Sequence, residues 1–524
     1  MEKDKGSTDV IRQICGASTQ KEDTGFGLLG KLANLILAFL SRTIFIYFLG
    51  STYLGVNGLY SEILSLLSFA ELGFGSAMTF AMYKPVADKD TEKIKRLLGF
   101  YKTVYRIVAV IITVAGLCLI PFLQYIVKGA EWLNVTELRL YFLIFLANTV
   151  VGYFVTYKFA YLNALQKNYI NTNIDTIVNT VSYCAQMVVI LVFKDFLLYL
   201  LVNSFVLVVS RFIIIVYLNK KYPILKEKPD VPLSKSEKKP IYKEVQGLVV
   251  HQFSSVAVHS TDNILISMLS GLGVVAVGYI SNYNMLINSV LGFVVILFNS
   301  VTSGFGNLVA TSTVKNYHKV FKEINFLNFW IYGFCSISFW ILVPPFITLW
   351  IGSDKLIDNV SFSLIIINCY LQGQSAAFNN ARIAKGNFGK DKNWALAQAL
   401  VNLVVSIIAG HYLGLVGIYI GTVTSRLVYV VCRPYSTYRF LFEESSVEYY
   451  KKFLLYFIAV IFTAIISKLL TYKLLVVPKV GTFVVAVFIV GIVVNLCFLL
   501  MFFKSQEMKA WKDRIYSIII GKRK

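Results

Sequence analysis

Apolar residues occur along this chain in long blocks that are separated by short polar segments rich in Gly, Pro and charge. A helix needs about 20 apolar residues to cross a bilayer. Seven blocks are close to that length or exceed it, namely 27–50, 103–127, 174–193, 196–218, 324–351, 453–472 and 481–503. The pattern therefore predicts an all-α polytopic membrane protein.

Fourteen transmembrane helices are predicted when the remaining apolar segments are divided at Gly, Pro and charge clusters. The second, fourth and tenth of these carry polar residues, so their periodicity is the weakest. The predicted spans are 27–50, 57–83, 101–127, 138–162, 173–193, 196–218, 246–270, 279–303, 324–350, 360–382, 393–412, 415–433, 453–472 and 481–503.

Composition and charge agree with a membrane protein and set its expected orientation. Of the 524 residues, 57% are hydrophobic and 15% are charged, against about 25% charged in soluble domains. Most of the 50 Lys and Arg lie in segments that are cytoplasmic if the N-terminus is inside, as the positive-inside rule requires. Both termini are therefore predicted to be cytoplasmic, and the net charge of +22 indicates topology, not a nucleic-acid partner.

The start of the chain and its cysteines exclude two other features. The first 26 residues are polar and precede no small-residue cleavage site, so no removable signal peptide is expected. The seven cysteines lie far apart and form no CxxC pair, which is typical of buried free thiols and not of a disulfide frame.

A weak internal repeat suggests how the spans are grouped. The segment 42–58 aligns with 262–278, and "QKNY" and "VVSRF" in the first half have counterparts "KGNF" and "VTSRL" at similar offsets. The repeat predicts two six-helix lobes with two extra helices after the second lobe. A lysine- and proline-rich linker, which we expect to be solvated and largely unstructured, joins the two lobes. The predicted parts are a cytoplasmic N-terminal segment 1–26, an N-lobe 27–218, a cytoplasmic linker 219–245, a C-lobe 246–433, the last two helices with their loop 434–503, and a basic tail 504–524.

Ionisable residues within predicted spans are candidates for function, because each costs about 2.5–3.5 kcal/mol on insertion scales and normally faces protein or a wet cavity. An arginine fork suits a phosphate or carboxylate. A charged residue near the end of a span has a structural alternative, in which its side chain simply reaches the lipid head groups. For Arg42 the structural alternative is a salt bridge with Asp262. The candidate substrate contacts are Arg42, Glu71, Arg211, Arg382 and Arg426.

A polar stripe follows one face of the seventh predicted span. His251, Ser255, His259 and Asp262 are spaced four, four and three residues apart, which places them on one side of a helix. Such a stripe suits proton relay or coupling to H⁺ or Na⁺, or it is the polar wall of a wet cavity. Two histidines two turns apart, with no cysteine nearby, do not form a zinc site.

Two segments resemble bacterial polysaccharide flippases of the Wzx type. They are "FLGSTYLGVNGLYSEILSLLSFAELGFGSAM" (48–78) with the basic stretch that follows it, and "HYLGLVGIYIGTVTSRLVYVVCRPY" (411–435). Such flippases are similar in fold to multidrug and toxin extruders and to the lipid flippase MurJ. The resemblance implies two six-helix bundles around a cavity, with two C-terminal helices added.

The resemblance also implies a function, which is translocation of an undecaprenyl-diphosphate-linked oligosaccharide to the outer leaflet of the bacterial cytoplasmic membrane for a capsule-like surface polymer. The expected partners are this substrate, membrane lipids and, as an open question, the polymerase machinery. No cofactor is expected apart from a coupling ion. A drug or cation exporter of the same fold is the alternative. A membrane enzyme is disfavoured by the short loops, and an ATPase by the absence of a GxxxxGK[ST] loop.

Overall fold

The computed structural model describes residues 21–71, 74–385 and 392–521. Within these residues the chain is helical and contains no strand. They fall into two compact units, Gln20–Ser281 and Asn282–Lys524. Eleven of the described helices are long and apolar enough to cross a membrane. The predicted all-α polytopic fold is confirmed, whereas the lobe boundaries inferred from the repeat stay a prediction.

The first unit is built from seven helices and the beginning of an eighth. Short 3₁₀ turns and one single-turn helix, Leu123–Ile126, lie between them. The helices are α1 (Lys21–Leu67), α2 (Phe74–Ala87), α3 (Thr91–Leu119), α4 (Val135–Ala164), α5 (Asn168–Phe193), α6 (Phe196–Lys221), α7 (Lys235–Leu269) and α8 (Val274–Thr311).

The other three predicted spans are absent from those eleven for local reasons. The span predicted over 57–83 is interrupted, since α1 ends at Leu67 and a 3₁₀ turn, Ser68–Glu71, precedes α2. The span predicted over 246–270 lies within α7, many of whose side chains are outside the described set. The span predicted over 360–382 is divided into two shorter helices at Ser375.

Helix α1 contains a break and makes the closest helix contact of the first unit. Gly50 has φ +82° and ψ 176°, a conformation that is strained for residues with a Cβ. Beyond it, a Cβ on Gly55 would lie 1.8 Å from the carbonyl oxygen of Val274, and a Cβ on Gly278 would lie 2.2 Å from that of Ser51. Only glycine therefore permits α1 and α8 to approach this closely.

The linker between α6 and α7 was expected to be solvated and largely unstructured; its residues 226–234 are irregular and mostly exposed, but several contacts hold it against the first unit. Arg96 at the start of α3 holds Glu237 at 2.5 Å through both carboxylate oxygens, and this contact lowers the pKa of Glu237 to about 2. Leu225 and Leu233 are buried, and Pro229 packs against Gly99. The buried leucines fix the linker by the hydrophobic effect, and the ion pairs add specificity at its surface.

The second unit contains the remaining helices and a π-helical turn, Tyr438–Phe442. It also includes the part of α8 that follows Ser281. The helices are α9 (Val314–Ile351), α10 (Asn359–Gln374), α11 (Ala376–Lys385), α12 (Lys392–Leu413), α13 (Leu415–Thr437), α14 (Val447–Leu475), α15 (Val480–Phe502) and α16 (Gln506–Gly521).

An aromatic core fixes α14 and α15 to α9. Phe329 stacks on Tyr456 with ring centroids 4.2 Å apart, and Phe498 is fully buried beside them. Residues 506–521 of the predicted basic tail form α16, which is anchored to α9 by an ion pair of 2.5 Å between Arg514 and Glu323. The last two spans are thus an integral part of the second unit's core.

Candidate functional site

A polar cavity of about 590 Å³ lies within the first unit, between α4, α5, α6 and the part of α1 that follows Gly50. Most of its lining side chains are neutral amides and hydroxyls. The polar lining residues are Asn57, Ser61, Ser65, Ser68, Asn148, Thr149, Asp175, Asn179, Ser182, Tyr183, Gln186, Tyr199, Asn203 and Arg211. We call this space the polar cavity.

Three helices contribute one stripe of the lining each because their polar residues recur at helical spacing. On α1 these residues are Asn57, Ser61 and Ser65, and Ser68 continues the spacing at the start of the 3₁₀ turn that follows. On α5 the spacing is three or four residues, and on α6 it is four and then eight, which keeps these side chains on one face of each helix. A membrane protein retains such amides and hydroxyls where they meet protein or water and not lipid.

Arg211 borders the polar cavity at one end. Its guanidinium lies 5.8 Å from the ring of Phe159, and its Nε is buried without a hydrogen-bond partner. Asp175 is close enough to interact with it electrostatically, but no ion pair joins the two residues within the described structure. Arg211 therefore retains donors for an anion in the cavity.

Arg42 does not itself line the polar cavity, but it is close enough to the phenols of Tyr183 and Tyr199, which do, to interact with them electrostatically. Its Nη1 donates a hydrogen bond of 2.9 Å to the hydroxyl of Ser281. The salt bridge to Asp262 considered from the sequence is not formed, and Arg42 makes no ion pair with any described carboxylate. Asp175, near Arg211, and Tyr183, near Arg42, are eight residues apart on α5. Eight residues correspond to about 12 Å along the helix axis, so the two arginines lie at different levels along the cavity.

Two half-buried carboxyl groups lie beside the cavity wall. Glu71, in the turn between α1 and α2, faces the phenols of Tyr105 and Tyr153. Glu62, on α1, faces Ser260 and Asn263 of α7. The sequence analysis selected Glu71 but missed Glu62. Both groups have neutral neighbours, so they bring hydrogen-bonding capacity and not a counter-ion to the arginines.

The other predicted site residues lie elsewhere or cannot be described. Arg426 is in the second unit, 6% exposed, and its Nε donates to Asn368 at 3.1 Å. Asp262 is half-buried on α7. The side chains of the remaining four, Arg382, His251, Ser255 and His259, lie outside the described residues. Within the first unit the structure thus brings Arg211 into the cavity lining, with Arg42 and Glu71 near it, whereas Arg426 belongs to the second unit.

A family model described as "polysaccharide biosynthesis protein" matches residues 21–303, which is more than half of the chain. The chain belongs to the polysaccharide biosynthesis protein family. The match spans every helix that lines the polar cavity. No curated protein matches this member of the family by sequence.

Solved structures of transporters share the fold of this polysaccharide biosynthesis protein. A lipid II flippase, MurJ, in an inward closed conformation has a TM-score of 0.64 and 15% identity, covering 91% of this chain and 98% of its own. An inward-facing multidrug resistance MATE transporter has a TM-score of 0.59 and 16% identity, and the match covers 77% of this chain and 97% of that transporter. A MOP superfamily transporter from Pyrococcus furiosus, noted for the reverse polarity of its binding pocket, has a TM-score of 0.53 and 15% identity. The match covers 78% of this chain and 92% of that transporter. At these identities the likeness establishes the fold alone.

Proposed function

We propose that this protein translocates an undecaprenyl-diphosphate-linked oligosaccharide from the inner to the outer leaflet of the bacterial cytoplasmic membrane, for biosynthesis of a capsule-like surface polysaccharide. The observation that carries the proposal is the polar cavity, whose largely neutral lining includes Arg211 and has a second arginine, Arg42, close to two of its tyrosines; neither arginine forms an ion pair with a described carboxylate. Sugar hydroxyls both donate and accept hydrogen bonds, as do amides and hydroxyls. A guanidinium fork suits a diphosphate.

Alternating access is the mechanism that fits this chemistry. A diphosphate and its glycan are too polar to cross hydrocarbon unaided, so the cavity would open to each leaflet in turn. No covalent step is needed, and the chain is not proposed to be an enzyme. The distribution of Lys and Arg supports an orientation with both termini cytoplasmic. A polymerase that extends the glycan is a plausible partner on chemical grounds, because it would consume the translocated product.

Depletion of the protein in its native cells tests the proposal. We expect lipid-diphosphate-linked oligosaccharide to accumulate on the cytoplasmic leaflet, measured with a membrane-impermeant sugar-oxidising reagent, and wild-type protein to restore its export. Unchanged amount and sidedness of these lipids, together with greater sensitivity to lipophilic cations, would instead identify a drug exporter. The cavity disfavours that alternative only mildly, because Arg211 repels cations but Asp175, which lines the same cavity, attracts them.

Removing one cavity amide should weaken transport by a moderate factor. Asn203→Ala deletes one donor and acceptor from the lining, and a net hydrogen bond is worth about 0.5–1.5 kcal/mol, or roughly 2- to 12-fold. Translocation of lipid-linked oligosaccharide into proteoliposomes measures the loss. Asn316→Ala, an exposed amide outside the cavity, is the matched control and should leave the rate unchanged. Equal rates for both variants would argue against glycan binding in this cavity.

We also propose that Asp262, with the His251, Ser255 and His259 stripe, couples transport to a proton or sodium gradient. A carboxylate within a span is a suitable ion-binding group. Asp262→Asn should abolish the dependence of translocation on an imposed gradient while leaving binding of the lipid-linked substrate intact. Gradient dependence that persists in this variant would remove Asp262 from the coupling mechanism.

A further inference from the structure

An apolar groove of about 620 Å³ lies along the same two helices, α5 and α6, that form one wall of the polar cavity. Its sides carry Ile174 and Ile177 on α5 and Val209 and Ile213 on α6. These residues recur at helical spacing, and Ile177 and Ile213 are 63% and 58% exposed. The groove is therefore a concave apolar surface that no described part of the chain covers.

The groove adjoins the polar cavity. Val178 lines both spaces. Ile174 lines the groove and its neighbour Asp175 the cavity, and the same relation holds on α6 between Ser210 and Arg211. Arg211 thus lies at the level where the apolar and polar surfaces meet. A ligand with an anionic group between an apolar and a polar part would match this order.

The end of the groove has the character of a membrane interface. Tyr217 and Lys221 line it there, and the ammonium group of Lys221 donates a hydrogen bond of 2.9 Å to the Tyr217 hydroxyl. Tyrosine and lysine at the end of a span are typical of the head-group level. The groove therefore extends from that level into the hydrocarbon region, beside the depth at which Arg211 lies.

We propose that this groove binds the polyprenyl chain of the lipid-linked substrate while the diphosphate contacts Arg211 and the glycan enters the polar cavity. The inference rests on the proposed function and adds the place of the lipid. Burial of CH₂ groups stabilises a complex strongly when water is the alternative environment, and much less when lipid is. The groove would consequently position the chain more than it would tighten binding.

Photocrosslinking locates the chain. The full-length protein in nanodiscs is incubated with a diazirine-bearing undecaprenyl diphosphate that carries no sugar, then irradiated and mapped by mass spectrometry. We expect labels within 169–181 and 205–217, and we expect that a tenfold excess of unlabelled undecaprenyl diphosphate, but not of phosphatidylglycerol, removes them. Labels mainly on α14 and α15, or equal displacement by phosphatidylglycerol, would overturn the proposal and indicate an ordinary lipid-facing surface in the second case.

Filling the groove provides the second measurement. The double variant Ile177→Trp and Ile213→Trp should reduce labelling within the groove by about tenfold, equivalent to about 1.4 kcal/mol. Val188→Trp is the matched control, because Val188 is 60% exposed on α5 and lines neither space. Labelling that survives in a folded double variant would contradict the inference. Label displacement in the wild type still decides the question if the double variant does not fold.

A short-chain substrate separates this inference from the proposed function. Binding of a one-isoprene diphosphate oligosaccharide should be equal in the wild type and the groove variant, since it has no long chain to place. If the wild type binds neither the short-chain nor the undecaprenyl compound, the proposed function fails. If the wild type binds both and the groove variant still crosslinks the undecaprenyl compound within the groove, only the groove assignment fails.

Discussion

Proteoliposomes with Arg42→Ala should translocate lipid-linked oligosaccharide about 10 to 150 times more slowly than those with the wild type, since a hydrogen bond to a charged group contributes about 1.5–3 kcal/mol. The guanidinium is held by Ser281 at 2.9 Å and makes no ion pair with a described carboxylate, so its remaining donors are available to the substrate. Arg42→Lys should retain part of the rate, because it keeps the charge and loses the fork.

The control for Arg42 is Arg139→Ala, an exposed arginine on α4 outside the polar cavity, which should transport at the wild-type rate. Melting temperatures separate loss of function from loss of structure. Removal of a partly buried charge without a counter-ion should leave the melting temperature unchanged or raise it. A lower melting temperature combined with normal transport would assign Arg42 a purely structural role.

Gly55→Ala should prevent the protein from reaching its folded state in useful amount. The added Cβ would lie 1.8 Å from a backbone oxygen of Val274, which a rotamer change cannot relieve. Overpacking typically costs about 1–3 kcal/mol and sometimes more, and a backbone clash belongs at the upper end. Fluorescence-detected size-exclusion chromatography of solubilised membranes measures the yield, and thermal denaturation measures the stability of what remains.

Gly152→Ala is the comparison for Gly55, because no atom lies within 4 Å of a Cβ at that helical position on α4. It should be neutral or stabilising, since glycine within a helix costs about 0.5–1 kcal/mol relative to alanine. Gly278→Ala should behave like Gly55→Ala, since its Cβ would lie 2.2 Å from the oxygen of Ser51. Equal yield and melting temperature for Gly55→Ala and Gly152→Ala would show that α1 and α8 do not meet as described.

The helices were predictable because the bilayer imposes a long apolar block on each span. The span predictions failed where the length of an apolar block does not determine the helix boundaries. The second and tenth predicted spans are broken, and a hydropathy window does not distinguish one long helix from two short ones. The linker contains many lysines, and most of its residues are exposed, as expected, but its composition did not indicate that Leu225 and Leu233 would be buried. Two buried apolar residues can thus attach a basic segment to the protein even when its average composition is that of an exposed loop.

The polar cavity was only partly predictable. Arg42 and Arg211 stand out within apolar sequence, so a search for charges found them. Asn179 and Asn203 carry no charge, and such amides occur in spans both as interhelical contacts and as cavity lining. Helical spacing within α1, α5 and α6 could have revealed the stripes. Whether the three stripes face the same cavity depends on how the helices pack against one another, and the residue pattern within one helix does not reveal that packing.

The largely neutral lining of the polar cavity has a consequence for evolution. Each amide or hydroxyl contributes only about 0.5–1.5 kcal/mol, so no single exchange among Asn, Gln, Ser and Thr creates or abolishes recognition of a sugar. Preference for a glycan can then drift through many small, individually tolerable steps, while Arg211 keeps the invariant diphosphate bound. A lineage could change the polymer on its surface without first losing the transporter that exports it.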